Sequence, residues 1–314
     1  MSEMMKAIVY EKYGPPEVLH INEVAKPQPK DNEVLVKIHA ASVAAGDWRL
    51  RKADPFLARL YNGLFAPRKV NILGFETAGK VEAMGSKVRR FKVGDEVYAF
   101  NGFLFGGYAE YVALPVDTVK ADDGLVALKP KNLSFEQAAA VPCGGITALA
   151  FLRKAGLQSG QHIMVYGASG SVGTYAVQYA KSMGVKVTAV CSTGKVDMVK
   201  SIGADEVIDY TKEDFNAGSK KYDIVLDAVG KIKQAQCCNV LKESGAFESV
   251  RGSASPVLDD LETLTALIEA GKVTPVMDHV YQPEEIVEAH RYVEKEHKKG
   301  NVVLSMQAWI EQGK

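Results

Sequence analysis

The stretch that decides the fold is "VYGASGSVGTYAVQ", residues 165–178, which runs from an apolar segment through a glycine-rich turn into a helical segment. A glycine motif indicates a nucleotide-binding turn when it follows a strand and opens a helix, as it does here. Gly170 and Gly173 occupy the second and third positions of the dinucleotide-binding fingerprint, and Ala168 stands at the first. Gly170 lets the backbone approach a pyrophosphate, Gly173 lets the helix pack on the strand, and the helix start near Ser171 attracts phosphates. The stretch predicts a dinucleotide site, with a tight turn that binds nothing as the alternative.

The next apolar segment, "KVTAVC", ends where NAD-binding proteins place an acidic residue for the ribose hydroxyls, but here the sequence continues "STGK". Without a carboxylate to repel a 2′-phosphate, Ser192 and Thr193 can donate hydrogen bonds to it and Lys195 can supply charge. NADP(H) is therefore favoured over NAD(H). The alternative for Lys195 is a solvated lysine at a helix start. The predicted cofactor residues on the glycine turn are Ala168, Ser169, Gly170, Ser171, Val172 and Gly173.

The chain around this turn alternates short Val- and Ile-rich runs with helix-length segments, which predicts a doubly wound parallel sheet with helices on both faces. Residues 6 to about 120 show short alternating runs between Gly, Pro and Asp clusters, a pattern typical of an antiparallel β domain. Ser134 and Gln137 form a predicted capping box where the strand-like pattern ends and a helical pattern begins. From residue 274 onward the sequence again contains strand-like runs. We predict a β domain over 1–132 and 274–314 and a nucleotide-binding domain over 133–273.

Composition narrows the functional class. The chain has 314 residues, enough for two domains, and 38 basic residues balance 38 acidic ones, which argues against the strong positive field that nucleic-acid or anionic-membrane binding normally requires, so we expect neither as a partner. The amino terminus lacks the pattern of a signal peptide and no long apolar run suggests a membrane span, so we expect a cytoplasmic protein. Four cysteines show no spacing of a zinc site or a disulfide framework.

Three segments resemble the medium-chain dehydrogenase/reductase family, in its zinc-free quinone oxidoreductase-like branch, which includes zeta-crystallin. They are "GFETAGKVEAMGSKVRRFKVGDEVYAF", "AAAVPCGGITALAFL" with "VYGASGSVGTYAVQYAKSMG", and "LIEAGKVTPVMDHVY" with "AHRYVEKEHKKGNVVL". The resemblance implies a GroES-like β domain and a Rossmann domain. It also implies that Ser192, Lys195 and Tyr210 surround the 2′-phosphate and adenine, and that Thr147 and Asn301 line the cofactor cleft.

The same resemblance implies that no metal is bound. Zinc-dependent members of the family carry a metal-binding histidine before the glutamate of "GFE", and here that position is Phe75. Another zinc ligand would fall near Ala44, and only Cys143 stands where a third ligand belongs.

Two departures from the branch stand out. The usual S-V-N-P-x-D pattern reads "SVAAGD", so Ala44 replaces an asparagine that borders the nicotinamide pocket, while Asp47 remains. Only "RGSAS" follows "GAFESV", where relatives have a crossover helix and a sixth strand that normally forms the dimer edge. Either this strand is deleted or its residues are missing from the sequence, so homodimerisation is in doubt.

A metal-free site favours an acceptor that is already electrophilic, because nicotinamide cofactors deliver hydride themselves. We therefore expect an NADPH-dependent reductase of quinones or α,β-unsaturated ketones. Hydrogen bonds can stabilise the negative charge that develops on the oxygen of these acceptors. The candidate catalytic residues are Asp47, Trp48, Arg49 and Tyr61. Their structural alternatives are a turn cap for Asp47, a core position for Trp48, a solvated face for Arg49 with Arg51, and a packed loop for Tyr61.

Two other functions stay open at this point. A non-catalytic NADPH-binding protein with a structural or sensing role is consistent with the loss of the asparagine and the sixth strand. A zinc alcohol dehydrogenase is the third candidate. The sequence does not decide the physiological acceptor, the oligomeric state or the residue that protonates the product.

Overall fold

The computed structural model describes residues 3–312, which form two compact units. One unit contains the chain up to Pro142 and again from Met277, and the other spans Cys143–Val276. The sequence analysis placed these boundaries at residues 132 and 273. The difference at the first boundary has a physical cause, because the helix after the capping box belongs to the first unit, where the ring of Phe135 stacks on the ring of His39 at 4.2 Å.

The first unit is mainly β. A two-stranded antiparallel ribbon pairs β1 (Met4–Val9) with β2 (His20–Ala25). The larger sheet has the order β13-β14-β3-β4-β5-β7, with β6 also paired to β3. Its strands are β3 (Glu33–Ser42), β4 (Glu76–Met84), β5 (Glu96–Phe100), β6 (Tyr111–Pro115), β7 (Leu125–Leu128), β13 (Met277–Tyr281) and β14 (Asn301–Ser305). The tail therefore joins this sheet through β14, which pairs antiparallel with β3.

Apolar side chains of this sheet and of the helices beside it form one core, which includes Ile8, Ile38, Leu73, Leu114 and Trp309. The helices of the first unit are α1 (Ala45–Lys52), α2 (Ala58–Asn62), α3 (Phe135–Ala139), α8 (Ile286–Glu294) and α9 (Gln307–Gln312). The predicted capping box at the start of α3 is confirmed, because the Gln137 amide N–H donates to the Ser134 hydroxyl and the Ser134 N–H donates to the Gln137 side chain.

The second unit contains a parallel sheet of five strands, in the order β10-β9-β8-β11-β12 among the described residues. The strands are β8 (His162–Tyr166), β9 (Lys186–Cys191), β10 (Glu206–Asp209), β11 (Tyr222–Asp227) and β12 (Leu241–Ser249). The two units together confirm the predicted fold class, a GroES-like β domain with a doubly wound nucleotide-binding sheet.

The described sheet ends at β12, so the predicted lack of a sixth strand is confirmed within residues 3–312, and β12 is an edge strand. The predicted alternation of strands with helix-length segments does not hold at two crossovers. A loop joins β10 to β11, and only a short 3-10 turn at Gln234–Cys237 precedes β12. The α-helices are α4 (Pro142–Lys154), α5 (Ser171–Ser182), α6 (Val196–Ser201) and α7 (Leu258–Glu269). No helix among the described residues has both the length and the apolar character needed to cross a membrane.

Candidate cofactor and acceptor sites

The glycine turn connects the carboxyl end of β8 to the first turn of α5, as predicted. Gly167 has φ of 77°, a left-handed conformation that side chains other than glycine rarely adopt. The N–H groups of Gly167 and Ala168 both donate to the Val190 carbonyl oxygen, at 3.0 and 3.1 Å, which ties the turn to β9. Sequence analysis missed Gly167, although the spacing of Gly167, Gly170 and Gly173 is itself regular. The tight bend is made at Gly167, one residue before the position assigned to Ala168.

The other two glycines of the turn serve different purposes. A Cβ atom added to Gly173 would meet the Gly167 carbonyl oxygen and lie 2.7 Å from the Ala168 Cα, so α5 lies directly on the turn. A Cβ atom on Gly170 would find nothing nearer than 3.6 Å. Gly170 is the residue before the helix, with extended backbone. The space at Gly170 and the helix start beside it fit a bound pyrophosphate, because helix amino termini attract anions.

The turn also lies at the point where the strand order reverses, which is where ligands bind in sheets of this type. β8 leads to β9 and β10 on one side, and β11 and β12 lie on the other. Asp227 ends β11 and is completely buried. Its carboxylate accepts hydrogen bonds from the N–H groups of residues 229–232 and from the Ser249 hydroxyl. These bonds order the loop whose Val229 side chain packs on Gly167.

Asp227 was not predicted as a site residue. Its only signal in the sequence is an acidic residue that ends an apolar run in "YDIVLDAVG". We interpret it as a positioning residue for the wall of the glycine turn.

The end of β9 carries the residues predicted to favour NADP(H). Ser192 and Lys195 are half-buried, and Thr193 is exposed in a 3-10 turn. The Thr193 hydroxyl donates to the carboxylate of Asp209 at 2.6 Å. Asp209 ends β10 and also accepts from the Thr211 hydroxyl at 2.7 Å and from the Thr211 N–H. Hydrogen bonds from Thr193 and Thr211 hold the pKa of Asp209 near 2, so this carboxylate is charged.

This carboxylate corrects one part of the sequence analysis. No acid follows β9 in the sequence, yet the pairing of Asp209 with Cys191 across β10 and β9 brings one beside Thr193. Because the Thr193 proton is used by Asp209, a direct hydrogen bond from this hydroxyl to a phosphate is not available in this arrangement. The cofactor contacts of Ser192 and Lys195 remain predictions.

The remaining predicted cofactor residues lie at separate places. Tyr210 is half exposed, and its ring lies 6.3 Å from the ring of Tyr166, with the two planes nearly parallel. Thr147 is half-buried on α4 in the second unit. Asn301 is buried at the start of β14 in the first unit. Their contacts with a cofactor remain predictions.

Of the four predicted catalytic residues, Asp47 has the most constrained surroundings. It is completely buried near the start of α1. One carboxylate oxygen accepts from the Gly74 N–H at 2.8 Å and the other from the Ala44 N–H at 2.9 Å. Burial raises the pKa of Asp47 to about 7, with a smaller contribution from the negative charge of Glu76. Asp47 thus caps α1 and holds the "GFETAG" turn in place.

Trp48 and Arg49 have opposite environments although they are adjacent. Trp48 belongs to the core, and Arg49 is exposed, with its guanidinium 5.3 Å from the Trp48 ring centre and 3.7 Å from Glu296. The suggestion that Arg51 shares a solvated face with Arg49 is wrong. Arg51 is fully buried and pairs with Glu294 at 2.7 Å, because α1 packs against α8.

Tyr61 lies on α2, half-buried, and its hydroxyl donates to the Phe103 carbonyl oxygen at 3.2 Å. The structure therefore gives each of the four predicted catalytic side chains different neighbours. Asp47 accepts a hydrogen bond from Gly74, and Trp48 packs in the core. The Arg49 guanidinium lies beside Glu296, and the Tyr61 hydroxyl donates to the Phe103 carbonyl oxygen. A common acceptor contact for them remains a prediction.

A buried polar group that sequence analysis missed lies behind Asp47. His290 is completely buried on α8, and its ring lies 5.8 Å edge-on from Tyr108. Burial lowers the pKa of His290 to about 3, so the ring is neutral. Burial and the Asp47 carboxyl together raise the pKa of Tyr108 well above its usual value. No sequence signal marks these two residues, since each stands in a segment of ordinary amphipathic character.

Phe75 lies in an aromatic cluster. Its ring centre is 4.2 Å from that of Phe105 and 6.1 Å from that of Phe100, with which it is stacked. A Cβ atom on Gly46 would lie 2.8 Å from the Phe75 Cζ, so the ring also packs on the start of α1. The Asn101 N–H donates to the Phe75 carbonyl oxygen at 2.6 Å. The ring is therefore a packed part of this turn.

Cys143 is half-buried and reduced at the start of α4. Across residues 3–312, no three His, Cys, Asp or Glu side chains are grouped so as to hold a metal ion.

Comparison with known proteins places this geometry in a family. The model of the alcohol dehydrogenase GroES-like domain matches residues 30–123, and the model described as zinc-binding dehydrogenase matches residues 171–289. The 2-methylene-furan-3-one reductase of Solanum lycopersicum is 39% identical over 96% of this chain and 79% of that protein. The chloroplastic NADPH-dependent alkenal/one oxidoreductase of Arabidopsis thaliana is 36% identical over the same shares.

Among solved structures, the quinone oxidoreductase from Coxiella burnetii superposes with a TM-score of 0.85 at 31% identity, covering 97% of this chain and 100% of that one. The similarity extends through both units. The chain is therefore an oxidoreductase and belongs to the quinone oxidoreductase-like branch of the medium-chain dehydrogenase/reductase family.

Proposed function

We propose that this protein is an NADPH-dependent reductase that transfers hydride to quinones or α,β-unsaturated ketones without a metal. The names of the three relatives support the proposal, because one is a furanone reductase, one an NADPH-dependent alkenal/one oxidoreductase and one a quinone oxidoreductase. The furanone in the first name carries a methylene group conjugated to its ketone, which makes it an enone.

The observation that carries the proposal is the glycine turn with its two neighbouring strand ends. Gly170 leaves room for a pyrophosphate at the start of α5, and Ser192 and Lys195 follow β9 where a 2′-phosphate would need donors and positive charge. The carboxylate of Asp209 accepts hydrogen bonds from two threonine hydroxyls. These features fit NADP(H), with Thr147, Tyr210 and Asn301 as further proposed contacts.

Bound NADPH would supply the hydride, and the protein would orient the acceptor and stabilise the charge that develops on its oxygen. Arg49 and Tyr61 are the proposed donors, because the Arg49 guanidinium is exposed and the half-buried Tyr61 carries a hydroxyl group. Trp48 would support these two residues through its packing in the core. Asp47 would act through position, since both its oxygens accept backbone hydrogen bonds that fix α1 and the turn at Gly74.

The metal-free part of the proposal rests on Phe75. An aromatic ring has no lone pair to offer a metal, and this ring is held by Phe105, Phe100 and Gly46. A quinone or enone is electrophilic enough to accept hydride when hydrogen bonds meet its oxygen. A simple aldehyde or ketone needs stronger polarisation, usually from a metal or a placed acid.

The test is consumption of NADPH with a panel of quinones, enones and saturated ketones, and formation of NADPH from NADP+ with primary alcohols, paired with zinc analysis of the same sample. We expect turnover with quinones or enones, no turnover with saturated ketones, and no stoichiometric zinc. Tight NADPH binding without turnover on any acceptor would instead support a non-catalytic role. Stoichiometric zinc with alcohol oxidation would support a zinc alcohol dehydrogenase. A cytoplasmic location stays a prediction, as does the doubt about a homodimer.

A further inference from the structure

Part of the first unit presents an unusual number of exposed apolar side chains. Within ten residues of sequence, five large apolar side chains are exposed, and the exposed fraction reaches 71% for Leu60 and 86% for Phe65. We call this group the apolar face; it consists of Phe56, Leu57, Leu60, Leu64 and Phe65. Single exposed apolar residues are ordinary, but a concentration of this kind marks a surface that meets another apolar phase or a partner.

The apolar face is built on an anchored loop. Asn62 is completely buried, and its amide donates to the Tyr10 hydroxyl at 2.8 Å and to the Val70 carbonyl oxygen at 3.0 Å. Its side-chain oxygen also accepts from the Val70 N–H at 2.7 Å. The Tyr13 hydroxyl donates to the Gly63 carbonyl oxygen at 2.7 Å. The loop is therefore fixed from behind, so its apolar side chains are held outward.

Basic residues border this face, although basic and acidic residues balance over the whole chain. Between residues 54 and 69 the chain carries three basic residues, Arg59, Arg68 and Lys69, and one acidic residue, Asp54. The Arg59 guanidinium lies 5.4 Å from the Phe56 ring centre, and the Lys69 ammonium lies 3.8 Å from that of Tyr61. Arg68 is exposed. The combination of outward apolar side chains with bordering cations is the pattern of a surface that rests on an anionic lipid bilayer.

An acidic turn adjoins the face through Phe103 and Leu104. Tyr61 connects the face to Phe103 and Leu104, which are both about half exposed. Beyond them lies the turn Ala121–Asp123, whose two aspartates are exposed. This arrangement predicts a tilted contact, in which the side with Arg68 and Lys69 approaches the lipid headgroups and the acidic turn points away.

A second copy of the chain is a poorer occupant for the same face. In a two-fold symmetric contact each residue faces the same patch of the partner. Both copies would then bring Arg59, Arg68 and Lys69 into one interface, and within residues 54–69 only Asp54 carries a negative charge. Anionic headgroups complement the positive charge of this segment directly.

We propose that the apolar face and its bordering basic residues dock the protein peripherally on anionic lipid bilayers. The apolar side chains would enter the headgroup region, and the cations would lie over the lipid phosphates. This goes beyond the proposed reductase activity and does not depend on it, because the readout is binding to lipid.

The test is co-sedimentation of the full chain with vesicles of phosphatidylcholine containing phosphatidylserine, compared with vesicles of phosphatidylcholine alone. We expect binding to the anionic vesicles that weakens as salt is added. The double variant Leu60→Asp with Phe65→Asp should bind at least about tenfold more weakly, because it removes two large apolar contacts. Arg68→Gln should bind about fivefold more weakly, the effect expected for one basic residue near an anionic surface.

Val93→Asp serves as the matched control, because Val93 is also an exposed apolar residue, on a different loop. It should sediment like the unmodified protein. Turnover of NADPH with a water-soluble quinone should be unchanged in the double variant, which separates this proposal from the proposed function. The proposal is overturned if the unmodified protein fails to bind anionic vesicles or if the double variant binds as well. It is also overturned if the double variant lowers the oligomeric state, since a second copy would then cover the face.

Discussion

The Thr193 hydroxyl donates a hydrogen bond of 2.6 Å to the carboxylate of Asp209, which joins the end of β9 to the end of β10. The same carboxylate accepts from Thr211 and lies 3.4 Å from the Lys212 ammonium. An acidic residue at this end of the sheet would ordinarily disfavour a 2′-phosphate. Here its charge is used to fix the turn that presents Ser192 and Lys195, so the charge of Lys195 is what we expect to select the phosphorylated cofactor.

Replacing Lys195 tests this division of roles. We expect Lys195→Ala to weaken NADPH binding about tenfold or more, because a charge-assisted contact contributes roughly 1.5 to 3 kcal/mol. NADH binding should change little, since NADH has no 2′-phosphate. Isothermal titration with both cofactors measures the ratio. Lys200→Ala, an exposed lysine on α6, is the control and should leave the ratio unchanged. Equal loss for both cofactors would contradict a role in selectivity.

Thr193 should act through Asp209. We expect Thr193→Val and Asp209→Asn each to weaken NADPH binding by loosening the turn, and the double variant to be little worse than either one. Two residues that share one hydrogen bond typically couple by about 0.5 to 3 kcal/mol. Titration of NADPH into the four proteins measures the coupling. Strictly additive losses would show that Thr193 contacts the cofactor independently of Asp209.

The site could be predicted from the sequence where its parts are local. The glycine turn, the capping box at Ser134 and the polar residues after β9 depend on neighbours within a few positions, so their roles follow from spacing. Gly167 could have been included on the same grounds. Asp209 and Asp227 could not, because each reaches the site through strand order, and strand order is a property of the whole sheet.

The burial of Arg51 and His290 could not be predicted from neighbouring residues in the sequence either. Arg51 and His290 stand in segments that look solvated, but α1 and α8 pack together and enclose both side chains. Glu294 compensates the Arg51 charge at 2.7 Å, and His290 avoids the cost by staying neutral. Such compensation involves residues more than 200 positions apart, so it is settled only by the tertiary structure.

The two inner glycines of the turn form a matched pair for mutagenesis. Gly173→Ala would place a Cβ 2.7 Å from the Ala168 Cα, so we expect a loss of about 1 to 3 kcal/mol of stability from overpacking. Gly170→Ala meets nothing within 3.6 Å and has ordinary backbone angles, so its unfolding midpoint should stay nearly unchanged. Its added methyl group should instead weaken NADPH binding, because it fills the space proposed for the pyrophosphate.

Thermal unfolding and NADPH titration of these two variants separate the roles. If Gly170→Ala bound NADPH normally, the pyrophosphate would have to lie elsewhere. If Gly173→Ala were as stable as the unmodified protein, the contact between α5 and the turn would be looser than described.

Asp47 and His290 should give opposite pH dependences of stability. Burial raises the pKa of Asp47 to about 7 from an ordinary 3.8, so between these values the folded state holds a proton that the unfolded state has lost. Its contribution to stability is therefore lost as pH rises through this window. Burial lowers the pKa of His290 to about 3 from an ordinary 6.5, so its contribution is lost as pH falls from 6.5 towards 3. From about pH 4 to 6.5 the two should largely cancel.

A variant that lacks one of these two groups should therefore show the pH dependence of stability that the other group causes. Relative to the unmodified protein, His290→Gln should lose up to about 1.4 kcal/mol of stability per pH unit as pH rises through this window, because Asp47 is then unopposed. Asp47→Asn should show the opposite relative slope. It should also be less stable by about 1 to 3 kcal/mol near pH 7, because an amide offers one acceptor oxygen to two backbone donors. Urea unfolding across the window measures both, and parallel curves for all three proteins would mean that neither group titrates as its burial requires.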